Sequence, residues 1–253
     1  DRNAPEALRD TPQSGYDDTR ALIEKWHGRG RALYAITPRF AITSSPEQLE
    51  MAEALAREFP DAYVQTHLSE NLDEIELAKS LYPNIGSYTG IYQRYRLLGP
   101  KTLLGHAIHL SHEETEVLAE TQSVAVFCPT SNLFIGSGLF DHDRLKAHGV
   151  RIGVATDVGG GTSYCMLRTL DEGYKVLQLR GQRLTPLNSF YMMTLGNARA
   201  LGLEGTIGSI VPGAEADLVV LDARATPQMK LRMETVESLS EELFLLQTCG
   251  DDR

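Results

Sequence analysis

Histidine and carboxylate residues close three separate apolar runs of this chain. Ala62-Tyr63-Val64-Gln65-Thr66-His67 reads as a strand, and its period of two places Tyr63, Gln65 and His67 on one face. Glu70 follows His67 by three residues. A histidine at a strand end and a carboxylate one turn later suit a metal ligand beside a group that moves protons. Leu103-Leu104-Gly105-His106 ends in the same way, with His109 and His112 beyond it at three-residue spacing. The run Val150–Thr156 ends in Asp157, followed by Gly159-Gly160-Gly161.

Each residue also has an ordinary structural role open to it. A strand-end histidine can be a buried hydrogen-bonded group, Glu70 can favour a helix N-terminus, and Asp157 can cap a helix or a turn. His109 can serve a second layer around a metal or face a substrate, and His112 suits a solvated helix start. Taken together, two imidazoles and a carboxylate suit Zn²⁺ or another borderline divalent ion.

Several other chemistries are excluded by what the sequence lacks. It has no G-x-G-x-x-G, no phosphate-cradling P-loop, no H-E-x-x-H and no G-x-S-x-G elbow. Cys128-Pro129 has no partner cysteine, which sets aside the cysteine-zinc type of deaminase. Gly159–Gly161 then reads as tight turning or close backbone approach. The net charge is −10 and no Lys/Arg run could track a phosphate backbone, so nucleic acid and anionic membrane are poor partners. The three cysteines Cys128, Cys165 and Cys249 are odd in number and far apart, which suits reduced thiols in the cytoplasm.

These residues need strands to carry them, and the pattern supplies them. Short apolar runs alternate with longer helical stretches, the signal of βαβ units and a parallel sheet. Strands are expected at Arg31–Ile36, Ala62–His67, Thr102–His106, Ser123–Cys128 and Val150–Asp157. Helices are expected at about 17–30, from Ser45-Pro46 to Pro60, and at about 70–82, 88–98, 111–121, 141–148, 162–179 and 186–201. After Leu201 the pattern changes, and Ile207–Asp222 reads as short strands joined by turns, before a helix-like tail from about 228. With 253 residues, 42% hydrophobic, the chain can bury a sizeable core.

Thr66-His67-Leu68-Ser69-Glu70, Leu104-Gly105-His106-Ala107-Ile108-His109-Leu110 and Ala155-Thr156-Asp157 resemble the metal-site motifs of the amidohydrolase superfamily. Pro212–Asp222 resembles that superfamily's return from its barrel into a small β-sandwich. Thr37-Pro38-Arg39-Phe40, Cys128–Phe140 and Thr156–Thr162 are similar to segments of the guanine deaminases within it.

The resemblance implies a (β/α)8 TIM-type barrel, of which this chain would carry the later strands over residues 1–202. It implies part of a β-sandwich and a C-terminal helix over residues 203–253. It implies hydrolysis of guanine to xanthine and ammonia at one zinc ion, with His67, His106 and Asp157 as ligands and Glu70 as proton shuttle. Asp157 would also help deprotonate the attacking water. Arg39 would bind the purine, Phe40 would lie beside it, and His109 and Asn132 would belong to the pocket wall, with 128–140 packed near the substrate. The superfamily's His-x-His ligand pair has no counterpart here, so the chain is expected to begin after the third strand of a longer protein and to lack full activity alone. The resemblance further implies a cytoplasmic enzyme and a homodimer, which the acidic surface does not oppose. Another nucleobase aminohydrolase, or a non-catalytic interaction module on the same barrel, are the alternatives.

Overall fold

The computed structural model describes residues 1–250; the last three residues of the tail lie outside the described residues. The chain divides into two compact units, Asp1–Val126 with Leu145–Arg151, and Phe127–Arg144 with Ile152 onward. The strands of the first unit follow one another in chain order in one sheet. No helix among the described residues is long and apolar enough to cross a membrane.

The first unit opens with α1 (Pro12–Trp26), β1 (Ala35–Ile36) and α2 (Pro46–Glu58), and continues with β2 (Tyr63–Leu68), α3 (Leu72–Leu81) and α4 (Tyr88–Arg94). Then come β3 (Thr102–His106), α5 (His112–Glu120) and β4 (Val124–Phe127). Side chains fix where the helices begin. Thr11, Ser45, Asn71 and Ser111 each cap in reciprocal pairing with the third helical residue, and Ser87 caps α4. Helix α1 starts at Pro12 rather than near Asp17, because Thr11-Pro12 supplies both a cap and a first residue that needs no N–H partner. The first strand is two residues long, shorter than the apolar run Arg31–Ile36 suggests.

Strands β1 to β4 pair in parallel. In β2, Val64, Thr66 and Leu68 are buried while Gln65 is exposed and His67 half-buried, so the expected alternation holds. Tyr63, at the foot of that column, is buried instead. Leu68, Tyr92, Leu104, Leu118 and Ala125 are fully buried and form the apolar packing of this unit.

The second unit holds α6 (Pro129–Ile135), a short helix within the segment 128–140, and the start of α7 (His142–Ala147). Strand β5 (Arg151–Val154) leads to α8 (Met166–Leu179), α9 (Pro186–Tyr191) and α10 (Asn197–Leu201). The last two are joined by a single wide turn at Met192–Gly196, so the expected helix 186–201 is one continuous rod with a π-type turn inside it. Phe127 and Phe140 stack with centroids 4.7 Å apart, closing the core over α8. In the tail, α11 (Pro227–Met233) and α12 (Leu239–Cys249) are helical as the pattern indicates. Met229, Met233, Leu245 and Leu246 form their own small core.

The short strands expected within Ile207–Asp222 are not formed: no strand follows β5 among the described residues. Val219 and Val220 are 84% and 96% exposed. A lone extended segment gains nothing over solvent without a neighbour's backbone to pair with.

Candidate active site

The site is built where β2 and β3 end. Cross-strand register pairs His67 with Gly105 and Leu68 with His106. Simple alternation would therefore send the His106 side chain to the Leu68 face, away from His67. The backbone prevents this: His106 and Ala107 take left-handed φ values of 70° and 49°. The two imidazoles then stack with centroids 5.2 Å apart and planes inclined by 29°. Gly105, opposite His67, contributes no side chain to the space they occupy.

Ser69, just past β2, also has a left-handed φ of 49°. Left-handed non-glycine residues cost on the order of 1–3 kcal/mol each and persist only when their surroundings over-determine them. Here the ladder continues beyond both strands. Ala107 donates to the Leu68 carbonyl at 2.9 Å, and Ile108 and His109 donate to the Ser69 carbonyl at 3.2 and 3.0 Å.

Arg39 and Phe40 meet this strand end from the loop after β1. The Arg39 carbonyl accepts from the His67 amide at 3.1 Å and lies 2.7 Å from His67 Nδ1. The Thr66 hydroxyl lies 3.2 Å from the same carbonyl. The Phe40 ring sits 5.4 Å from the His67 ring, and the Arg39 guanidinium lies 5.5 Å above Phe40. Guanidinium, phenyl and two imidazoles thus form a continuous row.

A carbonyl can only accept, so His67 Nδ1 carries the proton and its Nε2 keeps a lone pair for a metal. His106, 2% exposed, holds Nε2 3.5 Å from Glu70 Oε2. This first unit therefore brings together His67, His106, Glu70, Arg39 and Phe40. His109 follows in the same loop and lines a groove bounded by α3 and α5, with Leu72 and Ser111.

Two residues that the sequence motifs did not single out hold these groups. Buried Glu74 accepts from the amides of Glu70 and Asn71 at 2.8 and 3.2 Å, and from the Tyr88 hydroxyl at 2.6 Å. Burial, the largest influence, pushes the Glu74 carboxyl above its ordinary range, while the three donors act the other way. Tyr92, fully buried, donates to the His67 carbonyl at 2.7 Å and accepts from the Ala41 amide at 3.0 Å. Asn71-x-x-Glu74 is legible as a capping box; the i, i+4 pair Tyr88/Tyr92 is the only sequence trace of the second.

In the second unit, Asp157 stands three residues beyond β5 with a left-handed φ of 47°. The Gly161 amide returns to the Asp157 carbonyl at 2.5 Å, and any side chain at Gly161 would collide with the Thr156 carbonyl. Tight turning is therefore what the glycines provide. The Thr130 hydroxyl of α6 donates to the Thr156 carbonyl at 3.1 Å, and Asn132 is buried within α6. Asn197 pairs with both polar backbone groups of Val154, each at 2.9 Å.

A model of the amidohydrolase family matches residues 5–245. The chain is 51% identical to the guanine deaminase of Escherichia coli (strain K12) over 253 residues, covering 100% of this chain and 58% of that protein. The solved structure of an E. coli guanine deaminase superposes with a TM-score of 0.98 over 100% of this chain and 59% of the other. A probable guanine deaminase of Deinococcus radiodurans is 40% identical, again over 100% of this chain and 58% of the relative. The structure of guanine deaminase from C. acetobutylicum with guanine bound in its active site is 27% identical, with a TM-score of 0.89, covering 100% of this chain and 60% of that one. The chain thus spans about three-fifths of the length of the relatives it matches.

Proposed function

The chain belongs to the amidohydrolase family, and from that premise we propose that its protein hydrolyses guanine to xanthine and ammonia. The observation that carries this reading is the row formed by Arg39, Phe40, His67 and His106, with Glu70 beside His106. It sets a planar donor and an aromatic face next to a pair of metal-type imidazoles, which suits a flat base with an acceptor edge.

His67, His106 and Asp157 would hold one zinc ion. What supports that set is its donor chemistry, two imidazoles and a carboxylate, and the metal-ready tautomer that the Arg39 carbonyl imposes on His67. The His-x-His pair implied by the resemblance has no counterpart in these 253 residues, so the set proposed for this chain is three side chains. When bound, the zinc would make water acidic enough to attack carbon at neutral pH.

The protein groups would do the rest. Glu70 and Asp157 would take up the proton of the attacking water. Glu70 would deliver it to the ring nitrogen next to the amino-bearing carbon; the second proton, lost from the hydroxyl added to that carbon as its C=O forms, would then pass through Glu70 to the amino group that leaves as ammonia. The Arg39 guanidinium would donate to the O6/N7 edge of guanine, a fork that matches two acceptors in one plane. Phe40 would cover one face of the base, and His109 and Asn132 would contribute to the pocket wall. The same reading has the later part of a (β/α)8 barrel over 1–202, and a partial sandwich return with a C-terminal helix over 203–253. It also has a cytoplasmic homodimer that meets a small-molecule substrate rather than nucleic acid or membrane.

The test is to measure xanthine formation from guanine by the full-length protein, against ammonia release from adenine, cytosine and 8-oxoguanine. Turnover of guanine above the others is expected. An inert guanine beside an active alternative base would replace this reading with another aminohydrolase. A folded, metal-free, inactive protein would point to the interaction module.

A further inference from the structure

We propose that Tyr92 is a positioning residue that couples the base-binding loop to the metal ligand His67 through one buried hydroxyl. The inference rests on the roles proposed for Arg39 and His67 and adds a residue that no motif contains.

The argument is one of donors and acceptors. The Tyr92 oxygen accepts from the Ala41 amide at 3.0 Å and lies 3.0 Å from the Thr66 hydroxyl, and its own proton goes to the His67 carbonyl at 2.7 Å. All of these partners are buried or half-buried, and Tyr92 itself is 0% exposed. Ala41 immediately follows Phe40 and closes the loop carrying Arg39; Thr66 and His67 form the end of β2. The Thr66 hydroxyl also sits 3.2 Å from the Arg39 carbonyl, the group that fixes the His67 ring. The loop and the end of β2, already joined through the Arg39 carbonyl, therefore meet a second time on a single phenol. Within α4 the same oxygen also has a hydrogen-bond interaction with the Tyr88 hydroxyl one turn earlier, while the helix cap itself comes from Ser87.

A purely space-filling tyrosine would tolerate loss of its oxygen. A positioning tyrosine would not: the Ala41 amide and the His67 carbonyl would both lose their buried partner. Tyr82 provides the comparison. Its phenol is also buried, and its proton goes to the Ser44 carbonyl at 2.8 Å, at the far end of the same loop.

The experiment compares Tyr92→Phe with Tyr82→Phe in the full-length protein. Readouts are zinc affinity by chelator competition, hydrogen exchange of the Ala41 amide, guanine kinetics and the thermal midpoint. For Tyr92→Phe, zinc affinity is expected to fall by about 10- to 100-fold, as for other losses behind a metal ligand. Ala41 exchange is expected to accelerate, and the guanine KM to rise more than kcat falls. Tyr82→Phe is expected to lower the midpoint with unchanged zinc affinity and Ala41 exchange. Unchanged zinc affinity in Tyr92→Phe, or an equal loss in Tyr82→Phe, would overturn the proposal. Should Tyr92→Phe not fold, Thr66→Val carries the same test with the same expected direction, and unchanged zinc affinity there overturns the coupling. If the unaltered protein leaves guanine untouched yet zinc affinity and Ala41 exchange shift together in Tyr92→Phe, the substrate assignment fails and the coupling stands.

Discussion

The carbonyl oxygen of Arg39 lies 2.7 Å from Nδ1 of His67, so one residue offers its backbone to a proposed metal ligand and its side chain to a proposed substrate. These two functions of Arg39 separate under mutation, because a side-chain substitution leaves the carbonyl in place.

Arg39→Ala is therefore expected to raise the guanine KM while zinc affinity stays at the level of the unaltered protein. A charge-assisted hydrogen bond is worth roughly 1.5–3 kcal/mol, which corresponds to about 10- to 100-fold in kcat/KM. Steady-state kinetics beside chelator competition give both numbers. A matching loss of zinc affinity would mean that the side chain, and not only the carbonyl, supports His67.

Glu70 is the second separable group. Its carboxylate oxygen lies 3.5 Å from His106 Nε2, while its amide is held by Glu74. Glu70→Gln keeps the shape and the backbone anchor and removes the proton carrier. Turnover is expected to drop by about 100- to 10,000-fold, with zinc still bound when the metal content is measured. A variant with a near-normal rate would remove Glu70 from the proton path.

How far these relationships were legible in the sequence depends on their range. Thr102–His106 is read to the residue, because an apolar run bounded by Gly99-Pro100 and a polar end leaves little freedom. The residues gathered at the β2 and β3 ends were legible as types and as motifs. That His106 turns toward His67 was not, since alternation alone sends it to the opposite face and only the left-handed backbone reverses this. Tyr92 was invisible for a related reason: its role arises from residues 25, 26 and 51 positions away in sequence. The strands expected in Ile207–Asp222 fail in the other direction. An alternating or apolar run states only a preference, and a ladder partner must be present to realise it.

Glu74 makes a prediction about pH. Burial raises its folded pKa above the unfolded value, so the protonated form is the one favoured in the fold. The stability associated with it is fully present below the unfolded pKa and is lost as pH rises through the higher folded pKa. Glu74→Gln cannot ionise, yet its amide oxygen can accept from the Glu70 and Asn71 amides while its NH₂ faces the Tyr88 oxygen. Relative to the unaltered protein, this variant is expected to gain stability as pH rises from about 4.5 toward 7. Urea unfolding across that range measures the difference. A difference that is flat with pH would show that Glu74 titrates alike in the folded and unfolded chains.

The turn bearing Asp157 depends on a side chain on α10. Asn197 donates to the Val154 carbonyl and accepts from the Val154 amide, each at 2.9 Å, at the last residue of β5. Only an amide side chain offers both a donor and an acceptor to one residue in this way. Asn197→Ala would leave both Val154 groups without that partner, at a cost of about 1–3 kcal/mol for each group that stays buried and unpaired. Asn197→Asp would keep the acceptor and place a second acceptor against the Val154 carbonyl, so it is expected to be no better tolerated. Both variants should lower the urea midpoint without changing the slope of the transition, and both should disturb Asp157 before they disturb His67. Zinc affinity lost in proportion to stability in the two variants would support Asp157 as a ligand positioned by this clamp. Full affinity in a destabilised Asn197→Ala protein would show that Asp157 reaches its place without it.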